Sequence, residues 1–223
     1  MNKKIYFILI PLLCTFIALT SCKESNGADE YSDWEARNNA YLDYVAGQAR
    51  ANQGNEPGQW NIIKSYFINP GPGNTTSNIN DYVYARINKV GTGAPVLYAD
   101  SVSVYYRGTM INGLVFDNSP AFVPGNALST DTIFAGKPDD SYGDIYAHVV
   151  YFPDLDILTP AKFKVQRPGI IVGWVTALQE MREGDYWTLY IPSSLGYGSS
   201  SSTSIPANSL LIFDLYLEKR YLK

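Results

Sequence analysis

The chain has 223 residues, 46% of them hydrophobic and only 17% charged, with a formal charge of −4. That is enough apolar material for one large domain or a small one with additions, and with no basic stripe it excludes nucleic acid as a partner. Two cysteines and a single histidine, His148, exclude a disulfide framework and a Cys/His metal site, so no cofactor and no metal are expected.

Lys3 and Lys4 precede an apolar run from Ile5 to Leu19, too short for a comfortable membrane span. The run ends in LTSC, with small residues before Cys22. The pattern resembles a bacterial lipoprotein signal, in which Cys22 becomes the lipidated mature N-terminus. The alternative is an ordinary cleaved signal peptide with Cys22 incidental. On the lipoprotein reading, 1–21 is the signal peptide and 22–30 a solvated tether. Cys22 then anchors the chain to a membrane of the cell envelope, expected to be the bacterial outer membrane, on its periplasmic or surface face.

From 31 to 80 the pattern predicts a helix and a strand ahead of the main domain. Ser32 and Glu35 have the spacing of a capping box, and Trp34, Tyr41, Leu42, Val45 and Ala49 fall near one helical face. Gly54 and the following NEPG stop that helix. It is expected to dock over an exposed sheet edge rather than to carry a separate activity. WNIIKSYFI, 60–68, alternates like a strand, and NPGPGNTTSN breaks it.

The main domain is expected over 81–223. DYVYARINKV is a strand, GTGAP a turn, and SVSVYYRGTM a strand with Val102, Val104 and Tyr106 on one face. Asn112-Gly113 is a hairpin signal, and LVFD returns. Residues 120–159 read as an insertion rich in Pro, Gly and Asp, serving either as added substrate contact or chaperone surface, or as a lid or edge cover. AKFKV, 161–165, is a short strand. Within Ile170 to Arg182 a helix presents Trp174, Leu178 and Met181 on one side. YWTLYI and LLIFDLYL are the last strands, the latter with Leu211, Phe213, Leu215 and Leu217 pointing one way. Many antiparallel strands with one short internal helix make an α+β fold.

Groups that move protons or electrons are scarce. There is no GxSxG elbow, phosphate loop or CxxC pair. His148 reads as a surface histidine, and Asp139, Asp140 and Asp144 lack the spacing of a calcium loop. The serine run at 199–204 has no activating partner in the sequence around it. Aromatic residues with few polar companions remain. They suit one reaction that needs neither nucleophile nor acid, rotation about a prolyl peptide bond.

Three blocks carry a resemblance: VSVYYRGTMINGLVFDNS, PGIIVGWVTALQEMREGDYWTLYIPSSLGYG and SIPANSLLIFDLYLEK. They resemble the signature blocks of the FKBP-type peptidyl-prolyl cis-trans isomerases, and DYVYARINKVGTGAPVLYADSV resembles the opening of such domains. The resemblance implies a curved antiparallel β-sheet wrapped around a short α-helix, here with an additional N-terminal helix and a long insertion. By matching motifs it implies catalytic roles for Tyr106, Asp117, Tyr197 and the Ile171 backbone. It implies substrate-binding roles for Phe116, Ile170, Trp174, Ile205 and Phe213, with Trp174 as the pocket floor. It further implies proline-containing polypeptides as partners, and macrolides of the rapamycin type as ligands to the extent that the departure at Ala161, below, leaves the pocket narrow enough for them. One position departs. Counting back from Trp174 without gaps, Ala161 stands where the family usually has phenylalanine, which leaves the pocket wider there unless the insertion supplies an aromatic.

Two functions follow as expectations. The first is an enzyme that isomerises X-Pro bonds of exported proteins by drying and twisting the imide in an aromatic pocket. The second is a non-catalytic binding module of a surface lipoprotein, with a protein or glycan partner.

Overall fold

The structure, a computed structural model, describes residues 30–68, 78–119, 127–132, 149–153, 159–166 and 168–223. The leader, Cys22, His148 and Asp139, Asp140 and Asp144 lie outside the described residues. No helix among the described residues is long and apolar enough to cross a membrane.

The strands follow from period-two alternation. In β2 (Tyr82–Lys89), β3 (Ser101–Thr109), β8 (Tyr186–Ile191) and β9 (Leu211–Tyr221) the residues of one parity enter one core. Val83, Ala85 and Ile87, then Val102, Val104 and Tyr106, then Leu189 and Ile191, then Leu211, Phe213, Leu215 and Leu217 make up that face. β1 (Trp60–Lys64), β4 (Val115–Asn118) and β7 (Ala161–Lys164) complete an antiparallel sheet ordered β1-β2-β8-β9-β3-β4, with β7 also pairing with β3. Within the insertion, β5 (Ala127–Thr132) and β6 (Val149–Pro153) pair as a separate two-stranded sheet. One short helix, α2 (Val172–Leu178), lies in the concavity, with Trp174, Val175, Ala177 and Leu178 in the same core.

The opposite parity is also apolar over much of the sheet, and α1 (Trp34–Ala51) covers it. Trp34, Tyr41, Leu42, Val45 and Ala49 are buried, as their spacing predicts, against Trp60, Tyr84, Tyr190 and Ile212. Tyr41 stacks on Tyr190 at 6.4 Å between ring centres, and Trp60 tilts on it at 5.5 Å. The helix therefore covers the second face of the sheet across four strands, not an edge. The reason is physical: a sheet apolar on both faces needs a second layer. The helix also starts later than the Ser32–Glu35 spacing predicts. Asp33, at φ 52°, takes the cap position and makes no side-chain cap hydrogen bond.

Under α1 a buried polar network crosses the sheet. Arg107 Nη2 donates to Asp214 Oδ2 at 2.8 Å, and Thr188 Oγ1 donates to Asp214 Oδ1 at 3.0 Å. Asn88 Nδ2 in turn donates to Thr188 Oγ1 at 2.8 Å. Arg107 follows Tyr106, and Asp214 follows Phe213. The ion pair thus lies directly behind two rings that face the concave side.

Candidate active site

The concave side of the sheet ends in an open hollow of about 210 Å³. Tyr106, Asp117, Phe163, Gly169, Ile170, Ile171, Trp174, Tyr197 and Phe213 line it. Trp174, from α2, is the floor and only 4% exposed. Three rings meet the indole edge-on: Tyr106 at 5.0 Å, Phe213 at 5.2 Å and Phe163 at 5.3 Å. Edge-on contact sets ring edges, which carry partial positive charge, against ring faces, and it holds the cup open and rigid.

Each ring is placed by its strand. Tyr106 stands on β3 and Phe213 on β9, where Gly108 pairs with Phe213. A Cβ at Gly108 would stand 2.7 Å from atoms of both Phe116 and Phe213, so only glycine lets these rings sit over the backbone. The bulge between Gly108 and Thr109 then sets Asp117 opposite Gly108. Tyr106 Oη donates to Asp117 Oδ2 at 3.0 Å, and Asn118 N–H donates to Asp117 Oδ1 at 2.9 Å. Ile171 is the N-cap of α2, and its carbonyl accepts from Trp174 and Val175. Tyr197 stands on the opposite rim, 49% exposed. Gly198 after it has φ 63°, a left-handed turn that glycine adopts without strain and that projects the tyrosine outward.

Seven of the nine residues singled out in the sequence line this hollow. Phe116 and Ile205 do not. Phe116 packs edge-on behind Phe213 at 5.4 Å, because Gly108 leaves room for two rings. Ile205, 8% exposed, belongs to the core and walls a second hollow of about 230 Å³ with Tyr197, Ser200, Ser201 and Ser202. The widened wall expected at Ala161 is also absent. Phe163, two residues on and therefore on the same face of β7, fills that wall and reaches Tyr106 at 5.9 Å. An ungapped count from Trp174 lands on Ala161, two residues short of it. The readable signal is an aromatic residue in phase with Ala161.

Burial pushes the Tyr106 hydroxyl well above its ordinary range, helped by its hydrogen bond to Asp117 and by that carboxylate's charge. Burial, then the Asp117 charge, raises Tyr197. Both rim hydroxyls therefore stay protonated donors at neutral pH. Elsewhere in the sheet, burial raises Tyr84 to about 12, partly opposed by Arg50, and raises Tyr190 strongly. A phenol whose pKa is higher folded than unfolded holds its proton more tightly when folded. Its contribution is fully present below the unfolded value and lost as pH rises towards the folded one. The melting temperature is therefore expected to fall above about pH 10, each such phenol adding up to about 1.4 kcal/mol per pH unit to the slope. Thermal melts across the alkaline range check this, and a flat or rising profile contradicts it.

Residues 150–218 match the family model of the FKBP-type peptidyl-prolyl cis-trans isomerases. The chain is 30% identical over 132 residues to the FKBP-type peptidyl-prolyl cis-trans isomerase FkpA of Aeromonas hydrophila, covering 59% of this chain and 35% of that protein. It is 32% identical over 133 residues to the outer membrane protein MIP of Legionella longbeachae, covering 59% and 41%. The chain thus spans well under half the length of these curated relatives. The crystal structure of FkpA from Escherichia coli shares the fold at a TM-score of 0.50 and 24% identity, over 86% of this chain and 63% of that one. Over residues 150–218 the chain is similar to the FKBP-type peptidyl-prolyl cis-trans isomerase family.

Proposed function

We propose that the protein is a peptidyl-prolyl cis-trans isomerase acting on X-Pro bonds of exported polypeptides. The observation that carries this reading is the open hollow floored by Trp174, with three rings edge-on around it and two protonated tyrosine hydroxyls at its rim.

Amide resonance sets a rotational barrier of ~18–20 kcal/mol. Unaided X-Pro bonds turn over in tens to hundreds of seconds. A gain of about five decades needs roughly 7 kcal/mol of selective stabilisation. The planar imide is the more polar form, since resonance places charge on its oxygen and nitrogen. The twisted form has lost that separation. Water therefore favours the planar state, and a cup of rings that excludes water favours the twisted one by comparison.

In this reading the proline ring sits on Trp174 between Tyr106, Phe163 and Phe213. The Ile171 N–H and the Tyr197 hydroxyl hold substrate carbonyls on either side of the imide, with Ile170 packing along the chain. Asp117 fixes the direction of the Tyr106 hydroxyl. Phe116 and Ile205 act from behind, as support for Phe213 and Tyr197. With Phe163 closing the wall, family macrolides are expected to compete with peptide for the same hollow.

A protease-coupled assay of cis-to-trans conversion in a proline tetrapeptide tests the reading. Acceleration well above the thermal rate is the expected result. No acceleration would leave the fold serving as a binding module.

The cell envelope is the proposed location, with lipid on Cys22 as the anchor to the outer membrane. The leader pattern and the name of the Legionella longbeachae relative, an outer membrane protein, support it. Cys22→Ser is expected to move the protein from the membrane fraction to the soluble fraction. A wild-type protein already soluble would contradict the anchor.

A further inference from the structure

α1 does more than cover the sheet, for its first turn reaches the loop that carries Tyr197. That loop leaves the sheet after Ile191 and returns at Leu211. Its near end is tied locally: Gly196 N–H and Gly198 N–H both donate to the Ser193 carbonyl. Its far end is tied to α1. Trp34 Nε1 donates to Ser209 Oγ at 2.8 Å, and the Ser209 hydroxyl in turn donates to the Pro206 carbonyl at 2.7 Å. Asn38 Oδ1 accepts from Leu210 N–H at 2.7 Å, while Asn38 Nδ2 donates to the Trp34 carbonyl. Trp34, Asn38 and Ser209 are all buried.

The link to Tyr197 itself runs through Asn208. Asn208 Nδ2 donates to Glu35 Oε2 at 2.9 Å, and Asn208 N–H donates to the Gly198 carbonyl at 2.8 Å. Asn208 has φ 60°, a left-handed conformation that asparagine tolerates better than most residues but that needs outside support. The Glu35 carboxylate provides that support. One side chain on α1 therefore holds a residue whose own N–H holds the carbonyl of Gly198, the residue after Tyr197.

We propose that Glu35 and Trp34 are positioning residues for Tyr197. Through Asn208 and Ser209 they fix the returning half of the serine loop, so that the Tyr197 hydroxyl stands over the aromatic hollow. The proposal rests on the reading of Tyr197 as a substrate-facing donor. The loop's middle, Ser199 to Ser204, is exposed and held by bonds within the loop, Ser200 N–H to the Tyr197 carbonyl and Ser202 N–H to the Ile205 carbonyl, so it is the part left to yield to an incoming chain. The serine run makes that middle pliant, and the clamp keeps its pliancy from reaching Tyr197. The residues of the clamp on α1 lie outside the segment matched by the family model. The clamp is a feature of this chain's added N-terminal helix.

The test compares wild type with Glu35→Ala, Glu35→Gln and Trp34→Phe in the full chain. It reads amide hydrogen exchange over 197–204, kcat and KM on a proline tetrapeptide, and the melting temperature. Glu35 is exposed, so Glu35→Ala is expected to melt close to wild type. Its exchange over 197–204 should rise, and its kcat should fall, each roughly three- to tenfold, with KM little changed. Trp34→Phe keeps an aromatic ring in place but loses the N–H donor and part of the indole's buried volume, so it should melt somewhat lower and shift exchange and kcat in the same direction. Glu35→Gln keeps the acceptor oxygen and should restore wild-type values. Unchanged exchange in Glu35→Ala, or a glutamine variant as impaired as the alanine one, overturns the proposal. If the wild type shows no turnover, the isomerase reading fails alone, because exchange over 197–204 still decides whether the clamp exists.

Discussion

Tyr197→Phe is expected to lower kcat/KM on a proline tetrapeptide by about ten- to thirtyfold while leaving a single cooperative unfolding transition. The substitution removes one hydroxyl from a half-exposed side chain. That factor corresponds to about 1.4–2 kcal/mol, the upper end of what a neutral hydrogen bond contributes together with the cost of leaving the substrate carbonyl unpaired in a partly dry site. Asp117→Ala should have an effect of similar size by another route. Its carboxylate is the acceptor for the Tyr106 hydroxyl at 3.0 Å, so its loss leaves that hydroxyl free to turn. Asp117→Asn keeps an acceptor oxygen in place and is expected to stay within about threefold of wild type. A steady-state series on the four proteins separates the roles. Full activity in both Tyr197→Phe and Asp117→Ala would remove these residues from the mechanism. An asparagine variant as slow as the alanine one would assign Asp117 an electrostatic role instead.

The largest loss of stability is expected from Asp214→Ala. The carboxylate is 1% exposed and its Arg107 partner 7%, with 2.8 Å between them. Removing the acid takes its carboxylate partner away from a buried guanidinium, at a cost of about 3–5 kcal/mol. For a chain of this size that lowers the melting temperature by roughly 10 °C or more. The double substitution Arg107→Met with Asp214→Leu removes both charges and fills the space with apolar atoms, and it should recover most of the loss. The pair also backs the pocket, since its neighbours in sequence are Tyr106 and Phe213. Asp214→Ala is therefore expected to lose turnover at temperatures where it still folds, and the double variant to regain it. A single variant as stable as wild type would show that water or a shifted side chain satisfies Arg107.

The concave face was legible in the sequence because alternation is a local signal. Val102, Val104 and Tyr106, and Leu211, Phe213, Leu215 and Leu217, share a face wherever the chain is extended. Tyr197 between two glycines marked the rim for the same local reason. What escaped depends on distance along the chain. Phe163 reaches Trp174 across a loop whose length no motif fixes. Arg107 and Asp214 are 107 positions apart, and nothing near either residue announces the other. The second layer was half visible. YWTLYI and LLIFDLYL carry apolar or aromatic residues at both parities, which is the mark of a strand covered on both sides. Read that way, Tyr84, Tyr190 and Ile212 call for a helix over the face rather than at the edge. Glu35 shows how tertiary structure redirects a local pattern. Its spacing from Ser32 suits a cap, and its carboxylate holds Asn208, 173 positions away.

Line-shape NMR on a proline tetrapeptide, with a small amount of the full-length protein, tests the central claim most directly. It reports exchange between cis and trans at equilibrium and, through the Trp174 indole resonance, whether the peptide enters the cup. The account predicts that the cis and trans lines broaden and merge as protein is added while the indole resonance shifts. Sharp, separate lines alongside a shifting indole would mean that the hollow binds proline without turning it, and would contradict the account.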